Sequence, residues 1–215
     1  MPEILRISTD RSEEDILLRA AAIVAGGGVI GYPTETFYGL GADATQEQAI
    51  KRIFQIKGRN FSNPLPLLIG FRQDIYSLAQ KIPEKAEILM DAFWPGPLTI
   101  VFEAVPHLSQ LLTAKSGKIG IRQSGHKGAR KIAEKAGRPL TATSANLSGM
   151  PECQTADQVI AQLGDRLDAV VDLQGGNSAL GSTIIDITFE NPKILRAGVI
   201  SREDIEQKTG LTVIP

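Results

Sequence analysis

Six short stretches carry the polar side chains best placed to do chemistry: "PTET" (33–36), "KGR" (57–59), "GIR" (120–122), "TSANLSG" (143–149), "GST" (181–183) and "LRAG" (195–198). They supply cations and hydroxyls but no nucleophile paired with a base. Such a set suits phosphate chemistry, where neutralisation and alignment matter more than covalent catalysis. Lys57 and Arg59 flank a glycine at the end of a helical pattern, beside a Ser-Asn-Pro turn, and could grip an anion. Arg122 stands in an otherwise apolar strand, so it should face a buried acid or an anionic ligand. Plain structural roles compete with these. Lys57 could complement a helix C-terminus, worth about 0.3–1 kcal/mol. Asn146, Ser148, Thr34 and Thr36 could be turn formers.

Other chemistries lack their signatures. "GIRQSGHK" from Gly120 is a near miss to a P-loop, with His126 where the lysine belongs. GxGxxG and GxSxG are absent. One cysteine, Cys153, and two histidines, His107 and His126, cannot build a disulfide framework or a paired-histidine metal site. The lone cysteine fits a reducing cytoplasm. The N-terminal residues show no secretory signal pattern, and no apolar run approaches the roughly 20 residues that span a bilayer. Asp43, Asp172 and Asp186 are scattered, with no spacing for paired acid–base work.

Net charge is −1, but residues 115–138 hold eight Lys or Arg against one acid, Glu134. A localised anion site, or a basic face able to meet RNA, is compatible with that distribution.

The elements that must position these groups alternate. Helical patterns cover "SEEDILLRAAAIVA", "TQEQAIKRIFQIK", "PEKAEILMDAF", "ARKIAEKA", "TADQVIAQL" and "SREDIEQKT". Caps are expected at Ser12, Thr45 (boxed with Gln48), Thr155 (boxed with Gln158) and Ser201, with Gly58 and Gly137 as stops. Strands are expected in "VIGY", "PLPLLIG", "GPLTIVFEA", "KIGIRQ", "PLTATSAN", "DAVVDLQ", "STIIDIT" and "KILRAG", the last two as an antiparallel hairpin. The class is α/β, with a mixed rather than purely parallel sheet.

Taken together, "GGGVIGYPTETFYGLGADA", "KGR…NPL", "FWPGPLTIVF", "IGIR", "TATSANLSG" and "STIIDIT…ILRAG" resemble the YrdC-like family over about residues 15–200. The resemblance implies a twisted open sheet, parallel and antiparallel, flanked by helices around a positively charged cavity. It implies one domain over 1–215, without the further C-terminal domain of longer relatives. The implied activity is synthesis of L-threonylcarbamoyl-AMP from L-threonine, bicarbonate and ATP, releasing pyrophosphate. A downstream transferase would carry the product to tRNA. RNA binding, or formation of another carbamoyl adenylate, are the alternatives.

By the same resemblance, Lys57 and Arg59 would act catalytically on the ATP phosphates. Asn63, Lys118, Ser144, Asn146 and Arg196 would complete the nucleotide site. Arg122 would pair with the threonine carboxylate, with Thr34, Thr36, Ala142 and Ser182 lining that end. Mg²⁺ would ride on the phosphates without a dedicated cage. Leu68 stands where many members have a histidine.

Overall fold

Strand alternation, helix caps and one break at Ala142 account for most of the architecture. The computed structural model describes residues 1–175 and 178–214. Gly176, Asn177 and Pro215 lie outside the described residues, and with the first two goes part of the stretch "QGGNSALG" (174–181), whose glycines suggest a loop ahead of "GST".

In chain order the elements are β1 (Glu3–Arg6), α1 (Glu13–Ala25), β2 (Ile30–Tyr32), β3 (Gly39–Gly41), α2 (Glu47–Lys57), β4 (Leu67–Leu68), α3 (Glu84–Phe93), β5 (Leu98–Glu103) and α4 (Gln110–Thr113). There follow β6 (Lys118–Arg122), α5 (Lys127–Ala136), β7 (Leu140–Thr141), β8 (Thr143–Ser144), α6 (Ala156–Leu163), β9 (Ala169–Asp172), β10 (Thr183–Asp186), β11 (Lys193–Arg196) and α7 (Arg202–Thr209).

Two mixed sheets form. One runs β1-β9-β2-β3-β8, parallel up to β2 and antiparallel beyond. The other runs β11-β10-β5-β6-β4-β7, with β10–β5 and β4–β6 parallel and the remaining pairs antiparallel. The α/β class, the mixed pairing and the β10–β11 hairpin are as the sequence predicts. "PLTATSAN" is not one strand, however. Leu140–Thr141 pairs with β4, whereas Thr143–Ser144 pairs with β3. Between them Ala142 donates its amide to Pro66 O at 2.8 Å. The chain thus passes from one sheet to the other at Ala142, which is why a single expected sheet resolves into two.

Side-chain alternation then assigns faces. On the six-stranded sheet Leu67, Ile69, Ile100, Phe102, Ile119, Ile121 and Ile185 point into the larger core with Ile50, Ile53 and Phe54 of α2 and Leu89 and Met90 of α3. Fully burying one such isoleucine stabilises by about 1.5–3 kcal/mol. A second core packs Ile16, Leu17, Ala20 and Val24 of α1 and Ala129, Ile132 and Ala133 of α5 against Leu5, Ile30 and Val171.

Ser12 with Asp15 and Ser201 with Asp204 form reciprocal capping boxes. Thr155 caps α6, but Gln158 turns its side chain to the Gln154 amide instead. The Thr45–Gln48 box does not form. The Asp43 carboxylate takes both the amide and the hydroxyl of Thr45, at 2.8 and 2.7 Å, and α2 starts after Gln46. A nearby carboxylate is the stronger acceptor.

Candidate functional site

The opposite face of the six-stranded sheet floors a cavity of about 550 Å³. Alternate residues line it: Thr99 and Val101 of β5, Lys118, Gly120 and Arg122 of β6, and Ile184 and Asp186 of β10. "KIGIR" is therefore an alternating strand whose two isoleucines enter the core and whose two cations enter the cavity. The other wall comes from Tyr32, Thr34, Thr36, Gly39 and Ser144 around the five-stranded sheet, with Ala142 at the crossing. A wider surface groove of about 1070 Å³, near Phe61, His107 and Arg138, is lined by none of the candidate residues.

Arg122 is buried, and Glu35 is its acid. Their Nη2–Oε2 distance is 2.7 Å. Glu35 also accepts from the Ser124 hydroxyl and, at 2.8 Å, from the Gly125 amide. Burial opposes the charged form of Glu35, but Arg122, Ser124 and Gly125 outweigh it and hold the carboxyl down at about 2. Arg122 Nε donates to Gly96 O at 3.3 Å, and both terminal nitrogens lie 3.4 Å from Thr36 Oγ1. Those contacts with Thr36 are long. Arg122 is thus oriented by Glu35 and Gly96, with one terminal nitrogen committed to Glu35 and only long contacts toward Thr36. Thr34 shapes the turn, its hydroxyl bonding Phe37 O at 2.6 Å and meeting Thr36 Oγ1 at 3.0 Å.

Arg196 crosses to the start of β10, donating to Ser182 O at 2.7 Å and Ser182 Oγ at 3.0 Å. Gly198 permits this close approach, since a Cβ there would meet Gly181 O at 2.4 Å. Ser182 Oγ also bonds Thr99 Oγ1 at 2.9 Å. Arg59 donates to Thr143 Oγ1 and Pro64 O at 3.2 and 3.3 Å. Among the described residues neither Arg59 nor Arg196 has an acid partner. Desolvation lowers the proton affinity of both, and Arg122 adds to the effect at Arg196. Both guanidiniums would gain from an arriving anion.

Lys118 is occupied differently. Its Nζ bonds buried Asp186 at 3.1 Å and Thr188 Oγ1 at 2.6 Å and lies 4.6 Å from the Phe189 ring centroid. Other members of the 115–138 basic run are engaged too, Arg130 by Ser124 O and Lys135 by Glu14. Lys118 and Arg122 of the run line the cavity, whereas Lys115 and Arg138 line the surface groove.

Of the residues expected at the site, Thr34, Thr36, Arg59, Lys118, Arg122, Ala142, Ser144, Ser182 and Arg196 line the cavity. Lys57, Asn146 and Asn63 do not. Asn63 is exposed on the loop beside Pro64, which does line it. Lys57 is 4% exposed, and its ammonium donates to Ser144 O at 2.5 Å, Asn146 O at 2.8 Å and Asn146 Oδ1 at 3.0 Å. These three acceptors match its three protons. Desolvation, then Arg59, pull its pKa down to about 8.

Glu35, Asp186 and Glu152 are acids of the site that the motifs did not single out. Glu35 is the lone acid between two threonines directly after a buried strand, a position that marks a polar turn but does not name Arg122 as its partner. Asp186 follows Ser182 and Ile184 at strand spacing, which marks the same face. Glu152 carries no comparable signal. Leu68 also lines the cavity, paired in register with Arg122.

The family model Sua5_yciO_yrdC, described as telomere recombination, matches residues 22–198. A Pyrococcus abyssi (strain GE5 / Orsay) protein named threonylcarbamoyl-AMP synthase is 39% identical over 203 residues, which is 94% of this chain and 59% of that protein. A Bacillus subtilis (strain 168) protein of the same name is 39% identical over 197 residues, 90% of this chain and 56% of its own. This chain therefore spans little more than half the length of these relatives. The crystal structure of P. abyssi Sua5 complexed with L-threonine matches with a TM-score of 0.92 at 35% identity, covering 100% of this chain and 63% of that one.

Proposed function

The chain belongs to the Sua5/YciO/YrdC family, and from that premise we propose that it is a nucleotidyltransferase. Its reaction joins L-threonine, bicarbonate and ATP into L-threonylcarbamoyl-AMP, with release of pyrophosphate and water. The observation that carries this reading is convergence. Arg122, held by Glu35 and facing the Thr36 hydroxyl, shares one cavity with Arg59 and Arg196, two cations without acid partners among the described residues. The L-threonine complex of the P. abyssi relative supports an amino-acid substrate.

In the reaction, bicarbonate takes up a proton and loses water to give CO2, and threonine's amine adds to the CO2 carbon, losing a proton, to form a carbamate. A carbamate oxygen attacks the α-phosphorus, and the bond to pyrophosphate breaks. The residues need only hold, neutralise and keep water away. Arg122 takes the threonine carboxylate in a bidentate contact with Thr34, Thr36, Ala142 and Ser182 around it. Arg59, Arg196 and Ser144 face the nucleotide, with Asn63 and Lys118 at its edges. Asp186 and Glu152 line the cavity, but Asp186 already accepts from Lys118 and Thr188. They make no cage, so Mg²⁺ would enter on the ATP phosphates.

The product's destination would be a tRNA-modifying threonylcarbamoyl transferase in the cytoplasm, with weak tRNA binding as an accompaniment. No described helix is long and apolar enough to cross a membrane. Residues 1–215 would act as one domain. Incubation with ATP, threonine and carbon-13 bicarbonate should yield an adenylate carrying the label, read by mass spectrometry. AMP or ADP alone, with no labelled adenylate, would reject the proposal.

A further inference from the structure

The lysine that looks most like a phosphate ligand is turned away from the cavity. Lys57 ends α2, and Gly58, left-handed at φ 60, separates it from Arg59. The reversal sends the two cations in different directions. Arg59 reaches the cavity, while Lys57 is buried beneath the Ser144-Ala145-Asn146 turn. That turn is tied down twice more, by Ala145 N donating to Tyr38 O at 2.8 Å and Ser148 N donating to Lys57 O at 3.0 Å. Asn146 completes the lock. Its Oδ1 accepts from Lys57 at 3.0 Å and Ser144 Oγ at 2.7 Å, and its Nδ2 donates to Met150 O at 2.5 Å. With all three ammonium protons engaged, Lys57 has none to offer a phosphate.

We propose that Lys57 and Asn146 form a single positioning unit that fixes Ser144 and the edge of β8 as a wall of the nucleotide site, without touching the nucleotide. The proposal rests on the functional reading above for its ligand, ATP. Residues that act through one shared arrangement are non-additive, whereas independent contacts multiply. A unit that shapes the ground-state site shifts KM, whereas a contact made in the transition state shifts kcat.

The test compares Lys57→Met, Asn146→Ala and the double variant by threonine-dependent pyrophosphate release and by calorimetric binding of a non-hydrolysable ATP analogue. Each single variant should raise the KM for ATP and the analogue Kd about tenfold, with kcat within about threefold of wild type. The double variant should be no worse than the poorer single one within about twofold. A double variant whose losses multiply overturns the proposal. So does a kcat loss of about a hundredfold at unchanged KM. If Lys57→Met does not fold, Lys57→Arg takes its place in the cycle, and the same non-additivity with Asn146→Ala is expected. If wild type binds the analogue but releases no threonine-dependent pyrophosphate, the reaction is wrong while the calorimetric cycle still judges the unit.

Discussion

At the scale of single residues, Arg122 and Glu35 set the character of the site. Glu35 has a folded pKa of about 2 against an ordinary 4.5. Its carboxyl is thus depressed, and the stability it contributes is present above pH 4.5 and lost as pH falls towards 2. The loss is roughly 3 kcal/mol. Wild type and Glu35→Gln, unfolded by urea across that range, should converge in stability as pH drops. A constant gap between them would mean that the pair contributes no linkage. Arg122→Lys keeps a cation but not the planar fork that binds a carboxylate in two places. It should lower kcat/KM for threonine about a hundredfold or more while leaving analogue binding within a few fold. Unchanged threonine dependence would remove Arg122 from the carboxylate site. The buried acid opposite Arg122 was legible in kind, because an arginine in an apolar strand requires a counter-charge. That the acid is Glu35, 87 residues away, was not, since strand order brings them together.

Among the elements, turns and strand registers decide where the motifs point. Gly58 tests this. Its left-handed φ of 60 favours glycine, and a Cβ there would meet nothing within 4 Å. Gly58→Ala should therefore cost backbone strain alone, about 1 kcal/mol in urea unfolding. No loss would mean that the turn relaxes freely, and the divergence of Lys57 from Arg59 would lose its cause. The sequence revealed the helix ends at Ser12, Gly58, Gly137 and Ser201 because caps are local. β1 and β3 were not legible. β1 is exposed on alternate residues and short, and β3, "GLG", has no side-chain pattern beyond one leucine. The crossing at Ala142 was hidden as well, because two-residue strands carry no period and their partners, β4 and β3, are distant in sequence.

For the whole molecule, two sheets meet across one cavity, and the candidate residues sort by which sheet carries them. Arg122, Lys118 and Arg196 belong to the six-stranded sheet and Ser144 to the other, while Thr36 and Arg59 come from adjoining loops. Motif order alone collected these residues but could not separate a side chain facing the cavity from one facing the turn behind it. Lys57 and Asn146 are where that distinction falls. The proposed function requires one cavity to couple an amino acid, a carbamate carbon and a nucleotide. Pyrophosphate release from ATP by the purified chain, with threonine and bicarbonate each omitted in turn, tests it most directly. Release should need both, and release that persists without threonine would rule the proposed synthesis out.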